Sequence, residues 1–223
     1  MNRPRLLDLF CGAGGAAMGY YRAGFDVTGV DDRPMPRYPF AFHQADALTY
    51  LAEHGREYDA IHASPPCQAY TTMNRFGKGS GREHPALIGA TRYRLRVVGK
   101  PWIIENVVGA PLIRPVRLCG SSFGLGVRRH RLFESSIPLV GSSCQHRDSP
   151  RPIAVYGDHP QSALDRSYRI NRATSLSAGQ QAMGIDWMEW GELTQAIPPA
   201  YTRFVGGQLH AWLTEHSADE GAA

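Results

Sequence analysis

Leu6-Leu7-Asp8-Leu9-Phe10-Cys11-Gly12-Ala13-Gly14-Gly15-Ala16-Ala17 is the stretch whose reading decides the fold. The apolar run from Arg5 to Leu9 suits a strand, the glycines suit a tight turn, and Ala16 to Ala23 suits a helix closed by Gly24. Phe25 to Val30 is a second strand candidate, ending at Asp31-Asp32. Strand, glycine turn, helix, strand and acid together open a doubly wound α/β domain.

Working outward, Ala41 to His43 suits a short third strand, Ala47 to His54 a helix, and Tyr58 to Ala63 a fourth strand leading into Ser64-Pro65-Pro66-Cys67-Gln68. A basic, glycine-rich loop (Arg75 to Arg82) precedes a helix over Pro85 to Val98. Pro101 to Ile104 then reads as a buried strand ending at Glu105-Asn106. From Leu118 to about Arg172 the chain is irregular, with Gly, Ser and Pro scattered through it. Two further helices are expected, near Ser177 to Met183 and from Pro199 to Glu215, the second starting on a proline. No repeat is present, and no linker is long enough to separate two independent domains.

The chain has 223 residues and is 43% hydrophobic, enough for one sizeable core, which excludes a disordered, collagenous or coiled-coil chain. No apolar stretch has the length of a membrane span and no signal-peptide core follows Met1, so a soluble, cytoplasmic protein with no membrane partner is expected. The net charge is +4, unevenly distributed: twelve Arg/Lys lie between Ala69 and Phe133 against Glu83 and Glu105 alone. Such a basic middle suits a polyanion, unless its arginines merely decorate helices. The four cysteines (Cys11, Cys67, Cys119, Cys144) form no CxxC pair. Cys144 and His146 are the only candidate metal ligands close in sequence, and two are too few, so no metal is expected.

The glycine turn lets the backbone approach a ligand while the following helix presents free N–H groups, and Asp31 at the end of the next strand can bind ribose hydroxyls. Nicotinamide, flavin and S-adenosylmethionine sites share this pattern, though the third glycine of a dinucleotide fingerprint is missing from its usual place. Cys67 follows two prolines just past a strand, where open α/β sheets bind ligands. A rigid loop of this kind is unsuited to an inert core cysteine. Glu105 sits among Trp102, Ile103, Ile104, Val107 and Val108, where a carboxyl needs a partner. Its structural alternative is a salt bridge to one of the arginines.

These residues carry a resemblance. Phe10-Cys11-Gly12-Ala13-Gly14-Gly15, Pro65-Pro66-Cys67-Gln68, Glu105-Asn106-Val107, Arg129 with Arg131, and Ala196-Ile197-Pro198-Pro199 occur in the order and approximate spacing of the cytosine C5 DNA methyltransferase family. The similarity runs from Leu7 to about Leu209 and implies a Rossmann-like class I methyltransferase sheet with helices on both faces and a small irregular annex. It divides the chain into a catalytic domain (1–133 and 173–216), a reduced target-recognition segment (134–172) and a flexible tail (217–223).

The resemblance also implies the chemistry. Cys67 would add as thiolate to carbon 6 of an extruded cytosine, activated by a cationic neighbourhood, and Glu105 would hydrogen-bond or protonate ring N3. Arg131 and Arg129 would approach the cytosine carbonyl and backbone. S-adenosylmethionine, with no metal, would lie against Phe10, Gly12, Gly14, Asp31, Asp46, Pro66 and Gln195. DNA would be gripped by Arg75, Lys78 and Arg82 of the basic loop and by Arg128. Base extrusion itself is a general property of DNA methyltransferases.

This chain departs from the family at Val127, where a glutamine usually precedes the arginines, and at Gln195, where an asparagine is expected. Fewer than forty residues separate Phe133 from Arg172, little material for reading base edges. A short or relaxed target context, or a separate recognition subunit, is therefore expected. The rival readings are an RNA cytosine C5 methyltransferase, a catalytically silent nucleic-acid-binding subunit, and a nicotinamide oxidoreductase. The last leaves the Pro-Pro-Cys-Gln loop unexplained.

Overall fold

The computed structural model describes residues 3–70, 86–148, 151–160 and 171–220. Along the chain run β1 (Arg5–Leu9), α1 (Gly15–Arg22), β2 (Asp26–Asp31), β3 (Ala41–Gln44), α2 (Ala47–His54), β4 (Ala60–Ala63), α3 (Ile88–Val98) and β5 (Trp102–Val107). These are followed by β6 (Val116–Leu118), β7 (Arg131–Ser135), α4 (Leu176–Met183), α5 (Trp190–Gln195) and α6 (Pro199–Glu220). The strands form one sheet in the order β3-β2-β1-β4-β5-β7-β6. The first five are parallel, and β7 runs antiparallel between β5 and β6.

Strands buried on both faces must be apolar along their length, and β1 shows why. Leu6 faces one way, into a core shared with Tyr20, Tyr201, Val205 and Leu209 of α1 and α6. Leu7 and Leu9 face the other way, against Leu51 of α2 and Leu95 of α3. The Rossmann-like α/β fold with helices on both faces is thus as expected. Close packing of α1 on α6 depends on Gly19, where a Cβ would overlap Thr202 and the Pro199 carbonyl. The Thr202 hydroxyl there donates to the Ala16 carbonyl at 2.8 Å.

Some boundaries differ from the sequence reading. Glu105 and Asn106 lie within β5, not past its end, because β7 supplies a pairing partner for that stretch. The helix α5 and the β6–β7 edge were not anticipated. The last helix continues to Glu220, into the expected tail. The irregular annex joins the body through a third core, in which Val155 packs with Val127, Ala173, Met183, Trp190 and Leu193. An isolated bridge pairs Ala154 with Arg172.

Candidate active site

A cleft of about 700 Å³ opens where the carboxyl ends of β1, β2, β4 and β5 meet. Of the residues singled out from sequence, Phe10, Gly12, Asp31, Asp46, Pro66, Cys67, Glu105, Arg131 and Gln195 all line it. Phe10 occupies the left-handed region (φ +57), and so do Gly12 (φ +50) and Gly14 (φ +83). A phenylalanine there is strained, and such strain concentrates at ligand sites. Gly14 does not line the cleft. It is the left-handed N-cap of α1, packed against Pro39 and Tyr38, and it leaves the helix without a side-chain cap.

Asp31 accepts hydrogen bonds from the Gly12 N–H (3.0 Å) and the Arg33 N–H (3.2 Å), so its carboxylate holds the glycine turn in shape while facing the cleft. Asp46 caps α2, accepting from the Thr49 N–H and hydroxyl, both at 2.8 Å, and these bonds hold its carboxyl below the usual range.

The position of Cys67 follows from the strand before it and the strand beside it. The Ser64 N–H extends β4 by bonding the Leu9 carbonyl, and the Asn106 side-chain amide donates to the Pro65 carbonyl at 2.8 Å. Two prolines and this bond fix the loop that carries the thiol. Opposite, the β5–β7 register pairs Val107 with Arg131, which places Arg131 diagonally across from Glu105 on the same sheet face. Arg131 Nε lies 2.9 Å from Glu105 Oε1. The salt bridge expected as the structural alternative for Glu105 is therefore present, and it lies inside the cleft.

Burial dominates the titration of these groups. It raises the Cys67 thiol above its ordinary value; the Arg131 charge opposes this, and Glu105 adds to it. The cationic neighbourhood expected to activate the thiol is real, yet desolvation outweighs it. Glu105 is likewise held above the ordinary carboxylate range by burial, against the pull of Arg131.

Arg129 does not line the cleft, although its charge acts there, opposing the rise of both the Cys67 thiol and the Glu105 carboxyl. Its guanidinium donates to the Val155 carbonyl (3.2 Å) and to the Thr194 carbonyl, tying annex and α5 to the body from a left-handed backbone (φ +25). Burial pushes its pKa below the ordinary value. Arg128 donates to the His146 carbonyl, so it too is turned inward. Arg92 is bidentate to buried Glu134 at 2.6 and 2.7 Å. Part of the basic middle is therefore structural, while Arg94, Arg96, Arg114 and Arg117 are exposed. Arg75, Lys78 and Arg82 lie outside the described residues.

Three residues have no role in the sequence reading, although Asn106 stands in a motif it quotes. Asp8 lines the cleft fully buried, with its carboxyl raised well above the usual range by desolvation; the Tyr38 hydroxyl lies 3.5 Å away. An acid between buried leucines was the available signal. His62 bridges Tyr20 and Ser64 at 3.0 and 2.8 Å beneath the cysteine loop. Asn106 is the anchor of that loop.

No family model matches the chain. About half of it is similar to type II methyltransferases. It is 28% identical over 122 residues to M.HgiDI of Herpetosiphon aurantiacus and 30% identical over 125 residues to M.XorII of Xanthomonas oryzae pv. oryzae. Those matches cover 48% and 49% of this chain but only 38% and 29% of the relatives' lengths. Over that half, the chain resembles type II methyltransferases. Solved structures share the fold across nearly the whole chain. A prophage-encoded protein of E. coli, described as a DNA modification methyltransferase, superposes with a TM-score of 0.61 over 95% of this chain and 99% of its own, at 15% identity. The S. pombe Dnmt2 methyltransferase gives 0.57 over 96% and 99%, at 13% identity.

Proposed function

We propose that this chain is an S-adenosylmethionine-dependent DNA methyltransferase acting on carbon 5 of cytosine. The observation that carries the reading is the convergence of Cys67, on its proline loop, with the Glu105–Arg131 pair in the cleft that also holds the glycine turn and Asp31. Similarity to type II methyltransferases and the methyltransferase-type fold support the reaction class.

The residues suit the cofactor. A Cβ added at Gly12 would meet nothing within 4 Å, so the turn faces open space, and the uncapped N-terminus of α1 offers N–H groups to a carboxylate. Asp8 Oδ1 is buried without a hydrogen-bond partner among the described residues. Phe10, Gly12, Asp31, Asp46, Pro66 and Gln195 would hold the cofactor, with Gly14 shaping the turn. When bound, S-adenosylmethionine supplies a methyl group made electrophilic by its sulfonium.

The chain's own groups do the rest. The Glu105 carboxylate disfavours ionisation of Cys67, so beside Arg131 the pair favours a single negative charge. Moving that charge to sulfur leaves Glu105 protonated. As the thiolate bonds to carbon 6, the Glu105 proton passes to N3 and carbon 5 gains enamine character. Once carbon 5 has bonded the methyl group, loss of its proton to water, return of the N3 proton to Glu105 and release of Cys67 as thiolate restore the aromatic ring. Exposed arginines supply sequence-independent affinity, and the small annex supports a short or relaxed target context.

The test is trapping on DNA containing 5-fluorocytosine, with bisulfite sequencing of DNA from expressing cells. The parent protein is expected to form a covalent complex and leave methylated cytosines, and Cys67→Ser to do neither while keeping its melting temperature. Methylation by the serine variant would remove Cys67 as nucleophile. Trapping on RNA alone would reassign the substrate.

A further inference from the structure

Four residues far apart in sequence meet beside the annex. Cys119 follows β6, His130 immediately precedes β7, and Cys144 and His146 come from the loop beyond it. Cys119 Sγ lies 3.2 Å from His146 Nε2, and Cys144 Sγ lies 3.3 Å from His130 Nε2. All four ligand atoms fall within 4.8 Å of one another. We propose that Cys119, His130, Cys144 and His146 form a structural zinc site that clamps the annex loop to the β6–β7 edge.

The donor set argues for the metal. Two thiols and two imidazoles are the soft and borderline ligands that select zinc, and the cluster contains no carboxylate to suit a hard cation. Zinc bonds of about 2.0–2.3 Å in a tetrahedron place ligand atoms about 3.3–3.8 Å apart, so the separations seen here need only small adjustment. Two isolated S–H···N hydrogen bonds would not require both pairs to converge on one point. Two thiolates would also neutralise the cation.

The surroundings are built to hold the ligands. The Ser121 hydroxyl lies 3.1 Å from Cys119 Sγ and accepts from the Gln145 N–H at 3.0 Å. The Ser122 hydroxyl donates to the Ser143 carbonyl at 2.6 Å, and Arg128 to the His146 carbonyl at 3.4 Å. Outer partners of this kind orient metal ligands. The consequence reaches the cleft, because His130 is chain neighbour to Arg131, whose guanidinium pairs with Glu105. A metal at His130 would fix the start of β7 and hence the reach of Arg131. The zinc site does not depend on which base the enzyme modifies.

The untagged, full-length protein, purified under reducing conditions without chelator, is expected to contain one zinc per chain by elemental analysis. Stripped protein should melt at a lower temperature and recover on adding zinc. Cobalt(II) in its place should give the intense visible bands of a tetrahedral site with thiolate charge transfer. Cys144→Ser and His146→Ala should lose the metal, and Cys67→Ser should keep it. The cobalt spectrum of the parent protein keeps the test decisive if a ligand variant fails to fold. Metal-free protein that takes up no cobalt, a Cys119–Cys144 disulfide in the reduced preparation, or zinc content unaffected by Cys144→Ser would each overturn the site.

Discussion

The parallel half of the sheet and its antiparallel edge are held together by different means. In β1, β4 and β5, Leu6, Leu7, Ile61, Ile103 and Ile104 are wholly buried between two layers of helices, so this half owes its order to apolar area removed from water. The edge and annex bury fewer apolar side chains, among them Leu118, Phe133 and Val155, and add polar tethers: Arg129 to Val155 and Thr194, Ser122 to Ser143, Gln145 to Ser121, and the Cys/His cluster. The first region carries Cys67 and Glu105, the second Arg131. The proposed chemistry sits on the wholly buried half, and its electrostatic adjustment comes from the half where polar contacts supplement the apolar ones.

The Glu105–Arg131 pair is the seam, and breaking it should give the largest effect. Glu105→Gln is expected to lower the methylation rate by roughly 10²- to 10⁴-fold, the usual worth of general acid assistance. It also leaves Arg131 half-buried without its carboxylate, and loss of one member of a buried pair typically costs about 3–5 kcal/mol. Adding Arg131→Met should recover stability and not rate. Single-turnover kinetics and melting curves of both variants separate the two roles. A rate loss below about tenfold, with stability still falling, would make the carboxyl structural only.

A second test asks whether the parallel half responds to acid through His62. Burial holds the folded-state pKa of His62 at about 3, whereas an exposed histidine titrates near ~6.5. Between these values the unfolded chain binds a proton that the folded chain refuses. The contribution of His62 is therefore complete above the unfolded value. It is lost as pH falls, at up to about 1.4 kcal/mol per pH unit. Asp8 and Glu105, whose carboxyls are raised by burial, act with the opposite sign and regain stability on acidification. Comparing the parent with His62→Gln isolates the histidine. The variant should show a shallower acid slope in denaturant unfolding, and parallel slopes would refute the assignment.

What could be read from sequence follows the same division. The expected helix over Ala47 to His54 is the observed one, and β1 and β2 fall within a residue of expectation, because strands covered on both faces must be continuous apolar runs. The cleft residues were legible because the glycine turn, the proline–cysteine loop and the glutamate each follow such a run. Their partners were not. Arg131 meets Glu105 only through the β5–β7 register, and Arg129 turns to carbonyls of Val155 and Thr194, contacts with no local signature. The helix α5 escaped notice because it is six residues long and is capped by Glu192 accepting from the Glu189 N–H. The Cys/His cluster was hidden by its spacing, since ten residues separate Cys119 from His130 and thirteen separate His130 from Cys144.

The smallest expected effect concerns Asp46, where structural and binding roles overlap on one side chain. Both Thr49 bonds end on Oδ1, so the cap accounts for one oxygen, while the residue also lines the cleft. Asp46→Ala should cost about 0.5–2 kcal/mol by loss of the cap, a few degrees of melting temperature in a chain of this size. Serine caps helices about as well as aspartate, so Asp46→Ser should recover most of that stability. If Asp46 also accepts from the adenine amine of the cofactor, both variants should weaken S-adenosylmethionine binding, since the serine hydroxyl used for capping replaces two carboxylate oxygens. Calorimetric titration with the cofactor, set beside melting curves, separates the roles. Equal affinity for parent and serine variant would leave Asp46 a helix cap alone and move recognition of the adenine to the Phe10 side of the cleft.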